Sequence, residues 1–154
     1  MNQTFTDHTE CSSILGHNAV TVSKEGVCDR AQRMNQYRVL LIEDHAEFRN
    51  MLRSLLEPEF SVVAELADGE QAIEAVRSFD PDIVLLDITL PGKNGLDVIR
   101  DLLGSFPDLR VIFLTTHSDR VYIDEAFRRG ALGFVSKGSA SSSLLAELRR
   151  TLAS

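Results

Sequence analysis

The 154-residue sequence contains no tryptophan and only two cysteines, Cys11 and Cys28, which have sixteen residues between them and form no C-x-x-C pair. Structural zinc needs four ligands, usually in close pairs, so we interpret both as free thiols. A zinc site that adds His8 and His17 is the alternative. No stretch of 18 uninterrupted apolar residues occurs, and no basic segment followed by an apolar one opens the chain. The sequence therefore predicts neither a membrane span nor a secretory signal, and we expect a cytoplasmic protein.

Positive charge is also scarce. Lysine and arginine number 16 against 23 acidic residues, which gives a formal net charge of −7 and a pI of about 5.0. This balance argues against non-specific binding of nucleic acid or anionic lipid, so we expect no direct DNA contact and no membrane association by this chain. The hydrophobic content of 44% and the charged content of 25% are those of an ordinary globular protein of one domain.

The first 36 residues differ from the rest. Asn, Gln, Thr, Ser, Asp and His dominate there and no apolar period persists, so we predict a disordered, polar leader over 1–36 and a folded domain over 37–154. The segment 34–36 (Met-Asn-Gln) repeats the opening segment 1–3, which suggests the hypothesis that translation begins at Met34.

From residue 37 onward, short apolar runs alternate with stretches of helical period. Uninterrupted runs of four or five apolar residues are typical of strands buried on both faces, which means a parallel sheet between helices. The predicted strands are 37–43, 60–65, 83–87, 111–115 and 132–136. A helix follows each strand, and we predict Asn94 as the N-cap of the third helix and Gly130 as the C-cap of the fourth. The apolar positions Ile123, Ala126 and Phe127 predict the buried stripe of the fourth helix. The sequence thus predicts an α/β fold with an open, five-stranded parallel sheet and helices on both faces.

Polar side chains follow four of these strands where each one ends: Glu43, Asp44, Asp87, Thr115 and Lys137. Because parallel strands end at one edge of a sheet, we expect these five side chains to converge. Three carboxylates that face one another repel unless a cation lies among them. Hard divalent cations take oxygen ligands, so the pattern predicts a site for Mg²⁺ beside an acceptor carboxylate.

Each of these residues also has a simpler explanation. The acid pair 43–44 could favour the first turn of the following helix through the helix dipole. Asp87 could open a turn by accepting a hydrogen bond from the backbone two or three residues further on. Lys137 could extend along a strand end towards water, and Thr115 could be an ordinary strand residue. Each of these explanations is reasonable singly, but together they account poorly for the whole set.

Four pieces in order make the pattern specific: the pair Glu43-Asp44, the pattern D-x-x-L-P-x-x-x-G over 87–95, Thr115 at the end of the fourth strand, and Gly-Phe-Val-Ser-Lys over 133–137. Over 37–152 the chain resembles a bacterial two-component response-regulator receiver domain, and most closely the receivers of helix-turn-helix transcription regulators. The resemblance implies a flavodoxin-like (βα)5 fold.

The resemblance also implies a chemical role for the acids. Asp87 would accept a phosphoryl group from a sensor histidine kinase, a phosphotransfer protein or a small donor such as acetyl phosphate. Glu43 and Asp44 would hold Mg²⁺ together with Asp87, and the backbone carbonyl of Thr89 would be a further ligand. The protein would then be no enzyme in the usual sense, since it would catalyse only its own phosphorylation and dephosphorylation.

The resemblance further implies a switch. Lys137 would pair with Asp87 at rest and with the phosphoryl group afterwards, while the Thr115 hydroxyl would move to hydrogen-bond that group. Phe134 occupies the switch-aromatic position, although core packing explains an aromatic in a strand about as well. The altered surface would be the fourth helix, the fifth strand and the fifth helix, where Val121 and Tyr122 are candidate contacts for a partner or for a second copy in a homodimer.

Two positions depart from the family pattern. Gly138 replaces the proline that commonly follows the lysine, so we expect a more mobile Lys137. Thr116 stands where a small or apolar residue is common, which could alter access to the phosphoryl group. His117 lies close by, but the sequence offers no nucleophile for it to serve, so we assign it to the surface.

Three functions remain open at this point. The chain ends at Ser154, directly after the fifth helix, so we expect a phosphoacceptor receiver with no output domain, either stand-alone or descended from a longer regulator. A Mg²⁺-dependent phosphatase or phosphotransferase with an aspartate nucleophile is the second possibility, but the D-x-D spacing of such enzymes is missing after both Asp44 and Asp87. The third is a receiver fold used as a scaffold, independent of phosphorylation.

Overall fold

A computed structural model describes residues 36–116 and 120–154. The backbone divides into two units, Met1–Gln36 and Tyr37–Ser154, and only the second is described below. The predicted leader, apart from Gln36, lies outside the described residues, and so does the interpretation of His117.

The described residues form one parallel sheet, as predicted. Its strands are β1 (Arg38–Ile42), β2 (Ser61–Leu66), β3 (Ile83–Asp87), β4 (Arg110–Thr115) and β5 (Gly133–Ser136). Their order across the sheet is β2-β1-β3-β4-β5, and every neighbouring pair is parallel. The predicted strand ends are correct to within one residue. The second strand begins after Phe60 because the Phe60 N–H still bonds to the Leu56 carbonyl of the preceding helix, at 2.7 Å.

A helix follows each strand. The helices are α1 (Ala46–Leu56), α2 (Ala72–Phe79), α3 (Gly95–Ser105), α4 (Arg120–Arg128) and α5 (Ala140–Ala153), and a 3₁₀ turn over Lys137–Ser139 precedes the last one. None of the helices within 36–116 and 120–154 is long and apolar enough to cross a membrane.

Strand side chains alternate between two apolar layers. On β1, Leu40 and Ile42 pack in the layer covered by α2, α3 and α4, whereas Val39 and Leu41 pack in the layer covered by α1 and α5. Because both faces are covered, β1, β3 and β4 are almost wholly inaccessible to solvent, which is why their sequences are uninterrupted apolar runs. The prediction of helices on both faces is confirmed.

The two predicted caps are confirmed. The Asn94 side chain accepts a hydrogen bond from the Leu96 N–H at 2.8 Å, and Gly130 adopts a positive φ of 106° after α4. One position on α4 was predicted wrongly. Phe127 is 44% exposed rather than part of the buried stripe, because Ala126 alone on that helix is fully covered by the sheet and Phe127 lies at the edge of the covered face.

Candidate functional site

The predicted convergence of strand ends is present. β3 lies between β1 and β4, Asp87 is paired in register with Leu114, and Thr115 is paired with Ser136 immediately before Lys137. The chain changes direction across the sheet between β1 and β3, since β2 lies on one side of β1 and β3 on the other. Ligands of open α/β sheets bind outside the carboxyl ends of the strands at such a point.

Asp87, the last residue of β3, is 2% exposed and uses both carboxylate oxygens. Its Oδ1 accepts a hydrogen bond from the Thr89 N–H at 2.9 Å, and its Oδ2 accepts one from Lys137 Nζ, also at 2.9 Å. The turn-opening explanation is thus correct for one oxygen, while the other faces the cation of a distant strand. The two explanations are compatible, because the turn fixes the orientation in which the carboxylate meets the lysine.

Lys137 bridges the two central acids. Besides its bond to Asp87, its Nζ donates to Glu43 Oε1 at 3.0 Å and lies 2.7 Å from Glu43 Oε2. The side chain is only 13% exposed, and its ammonium lies 5.1 Å from the centre of the Phe48 ring. Burial alone would lower the pKa of Lys137, but the hydrogen bonds to the two carboxylates outweigh it, so that the pKa is raised and the charge is retained.

The adjacent acids of the first strand end differ in their environments. Glu43 is fully buried, and burial raises its pKa although the bonds from Lys137 and from the His45 N–H oppose the rise. Asp44 is 31% exposed; burial would raise its pKa too, but the interaction with the Glu43 carboxyl, with its own backbone and with the nearby His45 and Lys137 lowers it. Of these two neighbours, Asp44 is therefore the one that stays ionised more readily.

Oxygen atoms suited to a cation remain in this cluster. Among the described side chains, Asp44 Oδ1 and Glu43 Oε2 are buried and receive no hydrogen bond, although Lys137 contacts the latter as an ion pair. The carboxylates of residues 43 and 87 both contact the Lys137 ammonium, and that of residue 44 lies near Glu43. Three ionised carboxylates and one ammonium leave a formal charge of −2. Carboxylate oxygens in a negatively charged pocket suit a hard divalent cation, so these residues fit the predicted Mg²⁺.

His45 was not predicted as part of the site. Its Nδ1 lies 3.5 Å from both Glu43 Oε1 and Asp44 Oδ1, and these three side chains could supply ligand atoms within 4.8 Å of one another. Asp87 does not belong to this group of three, although both Asp87 and Glu43 bond to the Lys137 ammonium. The sequence does place His45 directly after the acid pair, which could have indicated a third ligand. Its position at the start of a helix gave it a simpler structural explanation.

The remaining predicted residues lie around this centre. Thr115 is 1% exposed at the end of β4, next to the strand that bears Asp87. Thr89 follows Asp87 and uses its N–H there. Phe134 is not a core residue: it is 36% exposed and packs edge-on against Phe127 of α4, with the ring centroids 6.3 Å apart.

Gly95, the last position of the pattern over 87–95, is a further residue of the site. A Cβ atom at Gly95 would lie 2.8 Å from the Ile88 Cα and closer still to the Asp87 carbonyl oxygen. The Gly95 N–H donates to the Ile88 carbonyl at 2.9 Å. The start of α3 therefore packs directly against the backbone of the Asp87 loop, and only glycine permits this approach.

Comparison with known proteins agrees with this geometry. Residues 39–149 match the family model of the response regulator receiver domain. The transcriptional regulatory protein DegU of Brevibacillus brevis is 40% identical over 105 residues, which cover 67% of this chain and 44% of that protein. The crystal structure of a LuxR-family two-component response regulator from Aurantimonas sp. SI85-9A1 superposes with a TM-score of 0.74 at 35% identity, covering 77% of this chain and 86% of the other.

The relatives differ in length. The chain spans about half the length of DegU and of the nitrate/nitrite response regulator NarL of Escherichia coli, 44% and 54% respectively. By contrast, it covers 97% of the protein CcdB of Bacillus subtilis, with 35% identity over 116 residues. The similarity to all three is confined to about 67–75% of this chain.

Proposed function

Since this chain belongs to the response regulator receiver domain family and so acts in phosphorylation-based two-component signalling, we propose that Asp87 is its phosphoacceptor. The observation that carries the proposal is the position of the Asp87 carboxylate. It is held by a backbone N–H on one oxygen and by Lys137 on the other, beside two further acids.

The proposed transfer is a displacement at phosphorus. An oxygen of the Asp87 carboxylate attacks the phosphoryl group of a phosphohistidine in a sensor kinase or phosphotransfer protein, or that of acetyl phosphate. The P–N or P–O bond to the donor breaks, and its electron pair leaves with the histidine nitrogen or the acetate. Hydrolysis of the resulting acyl phosphate returns the carboxylate, so the chain catalyses only its own phosphorylation and dephosphorylation.

Charge neutralisation is the main requirement of this chemistry, because the transition state spreads negative charge over the equatorial phosphoryl oxygens. Glu43, Asp44, Asp87 and the Thr89 carbonyl would hold Mg²⁺, which neutralises that charge when it is bound. Lys137 needs only to move its ammonium from Glu43 to a phosphoryl oxygen while it keeps its place beside Asp87, since it already lies within hydrogen-bonding distance of both acids.

The proposed output is a change of surface. Thr115 would turn its hydroxyl towards the phosphoryl group, and Phe134 would leave the edge of Phe127 to fill the space behind it. The surface of α4, β5 and α5 would then present a different face to a partner or to a second copy of the chain. Val121 and Tyr122 are 77% and 41% exposed there.

We further propose that residues 37–154 constitute the receiver domain and that the polar segment 1–36 is a leader outside it. We also propose that this chain makes no direct contact with DNA, in keeping with its formal net charge of −7. The phosphatase alternative finds no support in the described site, because the residue two positions after Asp87 is a threonine rather than a general acid.

The proposal is tested by labelling the full chain with acetyl phosphate in the presence of Mg²⁺ and following the acid-labile phosphoprotein by phosphate-affinity electrophoresis. We expect labelling of the wild type and of a control variant, Asp108→Asn, which alters an exposed aspartate in the loop before β4. Asp87→Asn should abolish labelling, and chelation of the metal should do the same. Persistent labelling of Asp87→Asn would refute the assignment of the acceptor.

A further inference from the structure

Arg49 connects the acid pair to a neighbouring strand. It lies on α1, and its Nη1 donates a hydrogen bond of 2.6 Å to the backbone carbonyl of Glu43. The Nε of the same guanidinium lies 3.3 Å from Glu65 Oε1 on β2. Both side chains are largely buried, at 20% and 19% exposure. A planar guanidinium that is paired with a carboxylate has little freedom, so its second contact is geometrically defined.

Two successive peptide units at the acid pair are consequently held in place. The Glu43 N–H donates to the Leu66 carbonyl of β2 at 2.9 Å, which fixes the peptide that enters Glu43. The Glu43 carbonyl, which accepts from Arg49, belongs to the peptide that joins Glu43 to Asp44. The orientation of that peptide sets the directions in which the two side chains leave the backbone.

We propose that Arg49 is a positioning residue of the metal site, which holds the Glu43-Asp44 peptide so that both carboxylates face the same cation. This inference rests on the proposed function, because it assigns Arg49 a role at the site where Mg²⁺ would bind. Groups that orient metal ligands without touching the metal contribute strongly to affinity, and their loss typically weakens binding about 10- to 100-fold.

The contacts around Glu65 separate positioning from simple stabilisation. Glu65 is also paired with Arg53, which in turn bonds to Glu57 at 2.7 Å. Removal of the Arg49 guanidinium therefore leaves Glu65 with a cationic partner and creates no unpaired buried charge. Arg53 lies one helical turn further along α1 and directs its hydrogen bonds to the two glutamates rather than to the acid pair.

Arg53 therefore provides a matched control. We would titrate the full-length chain with Mn²⁺, an oxygen-preferring substitute for Mg²⁺, and measure free Mn²⁺ by electron paramagnetic resonance. We expect Arg49→Gln to weaken Mn²⁺ binding about 10-fold or more, and Arg53→Gln to change it by less than about twofold. Arg49→Lys should recover part of the affinity, because an ammonium can still donate to the Glu43 carbonyl. All three variants should unfold in EDTA at nearly the denaturant concentration of the wild type.

The wild type and the Asp44→Asn variant distinguish a failure of the positioning role from a failure of the metal site. Wild-type binding that is lost in Asp44→Asn locates the metal at the acid pair. If that holds and Arg49→Gln binds Mn²⁺ as tightly as the wild type, the positioning role is refuted while the metal site stands. An equal loss in Arg53→Gln also refutes it, because the effect would then arise from Glu65. If the wild type binds no Mn²⁺, or Asp44→Asn binds it unchanged, the proposed metal site fails and the role of Arg49 fails with it.

Discussion

Replacement of Lys137 by alanine tests the charge balance of the site most directly. The change leaves two almost completely buried carboxylates, those of Glu43 at 0% and Asp87 at 2% exposure, without the cation that bridges them. Removal of one partner from a buried ion pair typically costs about 3–5 kcal/mol, and because the lysine is itself 13% exposed we expect a loss of about 3 kcal/mol near neutral pH without metal. With a denaturant slope of about 1–3 kcal/mol/M in urea, the unfolding midpoint should fall by roughly 1–3 M.

The loss should depend on pH with a defined sign. In the wild type the raised pKa of Lys137 means that its contribution is complete below the ordinary lysine pKa and disappears only as the pH rises through the still higher folded value. In the variant, Glu43 loses the lysine that opposed the effect of burial, so its already raised pKa rises further. At a pH below the unfolded pKa of Glu43, the carboxyl is protonated in both the folded and the unfolded chain and its burial carries no charge penalty. The free energy of unfolding of the variant then falls as the pH rises towards the higher folded pKa. Variant and wild type should therefore differ less at about pH 5 than at about pH 8.

The assay is urea unfolding followed by far-ultraviolet circular dichroism, since the chain has no tryptophan, with EDTA or with excess Mg²⁺ at both pH values. Mg²⁺ at 100 times its dissociation constant adds about 2.7 kcal/mol, so it should restore most of the loss in the variant. Lys93→Ala is the control: Lys93 is paired with the single carboxylate of Asp101 on the surface, and its removal should change the midpoint little. A Lys137→Ala midpoint within error of the wild type at both pH values would contradict the reasoning.

Three further outcomes are expected from the structure. Gly95→Ala should destabilise the chain by about 1–3 kcal/mol in chemical unfolding and impair phosphorylation, because the new methyl group overlaps backbone atoms. Gly104→Ala in the same helix has open space around the new methyl group and should be neutral or slightly stabilising. A greater loss of stability in Gly104→Ala than in Gly95→Ala would contradict the close approach at Gly95. Asn94→Ala should cost about 1 kcal/mol in the same assay through loss of the cap, and no loss would contradict it. A double-mutant cycle of Phe127→Ala and Phe134→Ala should give a coupling of about 0.5–1.5 kcal/mol in the unmodified chain, and a coupling that persists unchanged with beryllofluoride, an acyl-phosphate mimic, would refute the proposed movement of Phe134.

The sheet could be predicted because strands that are buried on both faces appear in the sequence as uninterrupted apolar runs. Val84, Leu85 and Leu86 have no exposed surface, so their positions admit only apolar side chains, and a polar residue such as Asp87 that ends the run must lie at the rim. Parallel pairing then brings all such residues to one edge, whatever their separation in sequence. Lys137 and Asp87 are fifty positions apart and yet 2.9 Å from each other.

The sequence did not predict contacts that depend on the length and direction of individual side chains. Arg49 lies on α1 and His45 lies just before it. Nothing in their spacing indicates that Arg49 bonds to the Glu43 carbonyl or that His45 lies beside both acids. The exposed position of Phe127 was missed for a related reason. Period alone places it on the buried face of α4, but the width of the sheet beneath the helix decides which residues are covered.

The geometry of Lys137 also bears on how strongly a metal can bind. The ammonium contacts both oxygens of Glu43 and one of Asp87, so it occupies acceptor positions that a divalent ion would use. Because burial raises the pKa of Glu43, protons compete for the same oxygens at a higher pH than they would at an ordinary glutamate. Metal, proton and lysine are thus alternative cations for one set of carboxylates, and Mg²⁺ affinity should rise with pH until Glu43 is ionised. If a bound metal displaces the ammonium from Glu43 while Lys137 keeps its hydrogen bond to Asp87, Lys137 is left beside Asp87 alone, which is where a phosphoryl oxygen would need it.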